Sequence, residues 1–116
     1  TGLGWGFREY ARRPGDFAVA GVGILATLQG ESFSSIRAVS FGVGASATLM
    51  PATEQACLGK SADQQTLGAA RRVFEEELDA DGSPFASAEF KRQVAGVLFE
   101  QALNDAVLRA RGGSAQ

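Results

Sequence analysis

The chain has 116 residues, the length of a single domain, and its net charge of −2 gives it no general attraction for nucleic acid or anionic membrane. One cysteine and no histidine exclude an internal disulfide, multi-cysteine metal or iron–sulfur sites, and the histidine-dependent catalytic triads. No apolar run approaches the roughly 18 residues of a membrane span, and the cysteine usage fits a reducing cytoplasm.

The first predicted element is a short helix over residues 7–13, where two aromatic side chains and Ala11 lie three and four residues apart. Pro14 disfavours helical backbone at the residue before it, so we expect the helix to end there. Residues 1–6 are rich in glycine and are interpreted as a flexible linker. On local chemistry alone, residues 7–18 form an ordinary helix-to-strand connection with solvated arginines.

Three strands are predicted next. Residues 17–28 form an apolar run, and residues 33–41 alternate in polarity, so the polar turn at 29–32 predicts an antiparallel hairpin. Residues 48–51 predict a short third strand closed by proline. The intervening residues 42–47 match the letters of a dinucleotide-binding loop, but a strand rather than a phosphate-facing helix follows them. We therefore interpret them as a tight bend between strands.

Three helices are predicted in the second half, over residues 53–58, 61–78 and 88–111. Their predicted N-caps are Thr53, Ser61 and Ser87. The last helix has two apolar faces, so we expect one to meet this domain and the other to meet a neighbouring helix or a surface outside the chain. Residues 112–116 are predicted to be a disordered tail.

The helix and strand order predicts an α+β domain: a short helix, a small three-stranded antiparallel sheet, and three helices packed on it. The chain offers no convincing catalytic group or metal site. Glu75–Glu77 point about 100° apart on a helix and predict a solvated acidic patch. Cys57 is predicted to be a core residue, with a reactive thiol as the weaker interpretation, and Asp79–Gly82 predicts a turn rather than a calcium loop.

Two segments resemble one protein family. Residues 7–18 read Phe-x-x-x-Ala-Arg-Arg-x-Gly-Asp-Phe-Ala, which looks like the opening of the C-terminal domain of the FAD-binding (medium) subunit of molybdenum hydroxylases. These enzymes include aerobic carbon monoxide dehydrogenases and xanthine dehydrogenase relatives. Residues 87–92 resemble the family's Ser-x-Glu-Phe/Tyr-Arg-Arg, with Lys91 in place of the first arginine. Between these segments the resemblance weakens, because the family's Gly-Gly pair and following arginine are missing near residue 42.

The resemblance implies that residues 1–116 are a single domain, the C-terminal fragment of a larger FAD-binding subunit. FAD would be held mainly by N-terminal domains absent from this chain, and none is expected in the fragment. The implied partners are those FAD-binding domains, a molybdopterin large subunit and an iron–sulfur small subunit. Arg8, Arg12 and Arg13 are implied to lie at the periphery of the flavin, although the same arginines suit contacts with an adjacent domain or subunit.

The leading functional hypothesis is therefore an accessory domain that supports electron transfer from molybdenum and iron–sulfur centres to FAD, and that is not catalytic by itself. The alternative is a free-standing α+β interaction module that dimerises through the second apolar face of the last helix. An independent hydrolase or lyase is the weakest hypothesis, because no histidine, activated nucleophile or convergent carboxylates are present.

Overall fold

The computed structural model describes residues 2–10, 20–42, 48–77 and 88–112. These ranges contain β1 (Gly2–Tyr10), β2 (Ala20–Gln29), β3 (Ser32–Gly42), β4 (Thr48–Leu49), α1 (Pro51–Cys57), α2 (Gln64–Glu77) and α3 (Ala88–Ala110). The strands pair antiparallel in the order β1-β2-β3-β4. The predicted α+β class, with an antiparallel sheet followed by three helices, is confirmed. Within the described ranges, none of the helices is long and apolar enough to cross a membrane.

The first predicted element is wrong, because the described part of residues 1–13 is a strand. Gly2–Tyr10 pairs with β2 along its whole length, so neither a helix beginning at Phe7 nor a flexible linker before it is formed. The sequence of this stretch contains two patterns that predict different structures. Phe7 and Tyr10 have helical spacing, whereas glycines alternate with large side chains over residues 2–7, which is the two-residue repeat of a strand. The strand pattern prevails.

The predicted hairpin and third strand are confirmed. β2 and β3 are joined by a two-residue turn in which Gly30 has a φ of 66°, a conformation that glycine adopts without steric cost. A bulge lies where Thr27 and Leu28 pair with β3, and the Ser34 hydroxyl donates to the Thr27 carbonyl at 3.1 Å. The bulge resets the alternation of β3, so that both Phe33 and Ile36 are buried on the inner face.

The core lies between the inner face of the sheet and the three helices. Alternate residues of β2 are buried, and Phe74 of α2 stacks on Phe99 of α3 with ring centroids 4.7 Å apart. Cys57 is fully buried, as predicted. The core residues of the sheet are Val22, Ile24, Ala26, Leu28, Phe33, Ile36 and Ala38, and those of α2 and α3 include Leu67, Ala70, Leu98, Leu103 and Val107.

Helix α3 packs on β1 with almost no side chain between the two backbones. A Cβ atom on Gly2, Gly4 or Gly6 would overlap the carbonyl oxygens of Ala110, Ala106 and Ala102, respectively.

Of the two predicted apolar faces of α3, the one with Phe99, Leu103 and Val107 is buried in the core. On the other face, Leu98 is buried and Val97 is 42% exposed. Dimerisation through the second apolar face of α3 stays a prediction.

Two helices begin at other residues than predicted. Helix α1 starts at Pro51, a residue suited to the first helical position, rather than at Thr53. Helix α2 starts at Gln64, because the Asp63 carboxylate accepts from the Thr66 N–H at 2.9 Å and caps it, while Ser61 forms a β-bridge with Ser32. Other predicted features lie outside the described residues, namely the bend at 43–47, the turn at 79–82, the Ser87 cap and the tail at 113–116.

Glu77 is a structural residue rather than a member of a solvated acidic patch. Its carboxylate accepts from the N–H groups of Ala52 and Thr53 at 2.9 and 2.8 Å, and from the Thr53 hydroxyl at 2.7 Å. Partial burial by itself would raise the pKa of Glu77, but these hydrogen bonds outweigh it and leave the pKa below its usual value. The end of α2 thus caps the start of α1.

Replacing Gly4 with alanine is expected to lower the free energy of unfolding by about 3 kcal/mol, because the new Cβ forces β1 away from α3. Urea unfolding measures the effect. Gly23→Ala is the matched control, since the added Cβ there has only the Phe7 ring within contact, at 4.0 Å. Equal stability of both variants would contradict the close packing of β1 on α3.

Glu77→Gln is expected to lower the free energy of unfolding by about 1–2 kcal/mol at neutral pH, as loss of a helix cap does. Folding depresses the pKa of Glu77, so its contribution is present above the ordinary value of 4.5 and is lost as the pH falls below it. Urea unfolding across this range should show parent and variant converging in acid. Glu76→Gln, at the exposed neighbouring position, should change little, and a constant gap at all pH values would contradict the assignment.

Candidate functional site

Strand β1 divides its side chains between two environments. The even-numbered positions face α3, and the odd-numbered positions face outward beside the odd-numbered residues of β2. The outward side of the sheet carries five large apolar side chains that are between 47% and 63% exposed. We call this surface the outer-face patch, and it consists of Leu3, Trp5, Phe7, Leu25 and Leu49.

The strand register makes the patch continuous. Trp5 pairs with Leu25, and Leu25 pairs on its other side with Arg37, so these three side chains form one row across the sheet. The next row runs from Phe7 through Gly23 and Val39 to Leu49. Because Gly23 has no side chain, the surface of this second row has a depression between Phe7 and Val39.

Arg109 of α3 reaches around the edge of the sheet to Trp5. Its guanidinium carbon lies 3.8 Å from the centroid of the Trp5 ring, and its Nη1 donates to the Trp5 carbonyl at 2.8 Å. The first contact is a cation–π interaction, and the second satisfies a carbonyl of an edge strand. Together they hold Trp5 in one position.

Arg8, one of the three arginines implied at the flavin, forms a two-pronged ion pair with Asp105 of α3. Its Nε and Nη2 donate to the two carboxylate oxygens at 2.7 and 3.1 Å. The Asp105 side chain is 10% exposed and that of Arg8 is 44% exposed. Hydrogen bonding and charge attraction from Asp105 raise the pKa of Arg8, so its guanidinium stays protonated.

The structure brings Arg8 into contact with this domain's own helix, while Arg12 and Arg13 lie outside the described residues. The flavin contacts implied for these arginines stay a prediction. Sequence reasoning missed Asp105 and Arg109 as partners of β1. The sequence does show that Asp105 and Arg109 are four residues apart and so lie on one side of the helix, next to Ala102 and Ala106. This spacing could have indicated a shared contact surface.

Among the described residues, no cluster of three metal-ligating side chains is found. Burial raises the pKa of the Cys57 thiol to about 12, so it is protonated at neutral pH and shielded from reagents. Arg71 of α2 forms ion pairs with Glu75 on the same helix at 2.9 Å and with Glu100 of α3 at 2.7 Å. The second ion pair joins α2 to α3.

Residues 5–106 match the family model described as the CO dehydrogenase flavoprotein C-terminal domain. The chain is 30% identical over 112 residues to subunit alpha of the 6-hydroxypseudooxynicotine dehydrogenase complex of Paenarthrobacter nicotinovorans, covering 95% of this chain and 38% of that protein. It is also 30% identical to the carbon monoxide dehydrogenase medium chain of Hydrogenophaga pseudoflava, covering 93% of this chain and 38% of that protein.

The fold agrees with these sequence matches. A carbon monoxide dehydrogenase structure from Hydrogenophaga pseudoflava superimposes with a TM-score of 0.86 at 29% identity, over 94% of this chain and 38% of that chain. The chain therefore spans less than two fifths of the length of the relatives it matches.

Asp105→Asn is expected to lower the urea midpoint of unfolding, because it leaves the Arg8 guanidinium beside a neutral amide that cannot accept both of its hydrogen bonds. The adjacent, exposed Asn104→Asp is the inverse control and should change the midpoint little. If Asp105→Asn is as stable as the parent, the ion pair does not hold β1 on α3.

Proposed function

Because this chain belongs to the family of CO dehydrogenase flavoprotein C-terminal domains, we propose that it is the C-terminal accessory domain of the FAD-containing medium subunit of a molybdenum hydroxylase. In this role it supports electron transfer from molybdenum and iron–sulfur centres to FAD through scaffolding and subunit contacts. The observation that carries the proposal is the match over residues 5–106, which includes nearly every described element.

FAD supplies the redox chemistry of such a subunit when it is bound, and this chain supplies charge and surface beside it. The described residues fit a peripheral place for the cofactor. Arg8 stands near the end of β1 with 44% of its side chain exposed, and Asp105 fixes its guanidinium there. Two of its nitrogens are engaged by Asp105, so its outer surface is available to a neighbouring group.

We extend the proposal to Arg12 and Arg13, which follow β1 within the segment that resembles the family's opening motif. A cation near the flavin favours its anionic reduced form by charge attraction. An arginine that is not already paired acts more strongly in this way than one beside a carboxylate. Cytoplasmic location and contacts with a molybdopterin large subunit and an iron–sulfur small subunit are parts of the same proposal.

A free-standing interaction module remains the second candidate function, and the outer-face patch is the observation that favours it. The two candidates differ in what they need. A module that dimerises does so as the 116-residue chain alone, whereas an accessory domain acts only beside the rest of its subunit. Light scattering of the isolated chain distinguishes them, since a strict monomer at high concentration counts against the module.

The test of the proposed function is the FAD content of two samples, the isolated chain and the intact subunit produced from the gene that encodes it. We expect flavin absorbance and stoichiometric FAD in the intact subunit only. Stoichiometric FAD in the isolated chain would overturn the accessory role, and an intact product that contains no FAD would overturn the family-based function.

In the same intact subunit, Arg12→Gln and Arg13→Gln are expected to lower the reduction potential of FAD while the subunit still assembles. Arg72→Gln, at an exposed position of α2, is the control with an equal change of charge. Loss of assembly without any change in the flavin potential would assign these arginines to an interface instead.

A further inference from the structure

We propose that the outer-face patch is the surface against which the flavin-bearing part of the same subunit packs, with Trp5 as its anchor. This inference rests on the proposed function and specifies which face of the domain is covered. The patch lies on the side of the sheet opposite the core, and Arg109 of α3 contacts it at Trp5.

The first support is the apolar character and continuity of the patch. Five large apolar side chains, each about half exposed, lie on adjacent rows of one sheet face. Soluble monomers rarely expose contiguous apolar surface of more than a few hundred Å² unless it binds something. The low point at Gly23, between Phe7 and Val39, offers room for a protruding side chain of the partner.

The second support is that Trp5 is held in place before any partner arrives. Arg109 covers one face of the ring and bonds the Trp5 carbonyl, yet the side chain is 55% exposed. Tryptophan and arginine are enriched among the residues that dominate interface energetics, and an ordered anchor loses less entropy on binding. Trp5 therefore has the properties of a preformed anchor.

The third support is charge. Arg37 is exposed at the end of the row formed with Trp5 and Leu25, and it makes no ion pair with any described residue. A surface that matches this row is apolar and carries a carboxylate opposite Arg37. This requirement describes the partner chemically, as an apolar surface with one acidic group.

The relatives indicate which partner is present. This chain matches 38% of the medium chain and of subunit alpha, and its family model describes the C-terminal domain of a flavoprotein. The rest of those proteins therefore precedes the matched domain and connects to it through the start of β1. Leu3, at that start, is the most exposed member of the patch. The preceding part is thus tethered beside the patch at a high effective concentration.

Hydroxyl-radical footprinting of the isolated chain and of the intact subunit tests the inference. Trp5, the only tryptophan of the chain, and Leu25 should be labelled at least about threefold less in the intact subunit, because packing excludes water from the centre of an interface. Val97, 42% exposed on α3, is the internal control and should be labelled equally in both samples. Equal labelling of Trp5 in an intact subunit that contains FAD would overturn the inference and leave the proposed function standing.

A charge placed in the patch gives a second, independent readout. Leu25→Glu should leave the unfolding midpoint of the isolated chain nearly unchanged, because Leu25 is exposed there, and should restore labelling of Trp5 in the intact subunit. Gln101→Glu on the exposed side of α3 is the matched control. Protection of Trp5 that rises with the concentration of the isolated chain, and that Leu25→Glu abolishes, would instead assign the patch to a second copy and overturn the inference.

Discussion

The contact between β1 and α3 depends on the absence of side chains. Gly2, Gly4 and Gly6 let the strand backbone approach the carbonyls of three alanines that lie four residues apart on the helix. Two residues of a strand advance about 6.7 Å and four residues of a helix about 6.0 Å, so the two series stay nearly in register over this short length. A longer series would drift apart, and the next inward position of β1 is Arg8 rather than a fourth glycine.

The glycine series also determines where the large side chains of β1 lie. An inner face built from glycine contributes little apolar area to the core, so the strand is held by close packing and by two polar clamps. Arg8 binds Asp105 from the inner face, and Arg109 binds the Trp5 carbonyl from the edge. The large residues of β1 that alternate with the glycines are left on the outside. The exposed patch is therefore a consequence of the same alternation that permits the helix to pack.

Much of the fold follows from local patterns in the sequence, while strand β1 and its contacts depend on residues far away in the chain. The β2–β3 hairpin, the presence of α2, the start of α3 at Ala88 and the burial of Cys57 were predictable from periodicity and turn chemistry. The strand at residues 2–10 was not predictable in this way, because its sequence fits both a helical and a strand repeat. Contacts with alanines about a hundred residues away favour the strand. The pairing of Arg8 with Asp105, across 97 residues, and the capping of α1 by Glu77 are equally invisible to local spacing. Arg12 and Arg13 stay a prediction that rests on resemblance.

The ion pair with Asp105 gives Arg8 a structural role that differs from the role proposed for Arg12 and Arg13. A guanidinium paired through two of its nitrogens with a carboxylate presents a dipole to its surroundings, and the field of a dipole falls off faster with distance than that of a single charge. Arg8 is therefore suited to hold β1 against α3. An arginine of residues 7–18 that has no carboxylate partner would exert the larger electrostatic effect on a neighbouring group. Because β1 carries three residues of the patch on one face and Arg8 on the other, a partner that packs on Trp5 contacts the same strand that Asp105 holds. The proposed docking contact and the ion pair between Arg8 and Asp105 are in this way coupled through one strand.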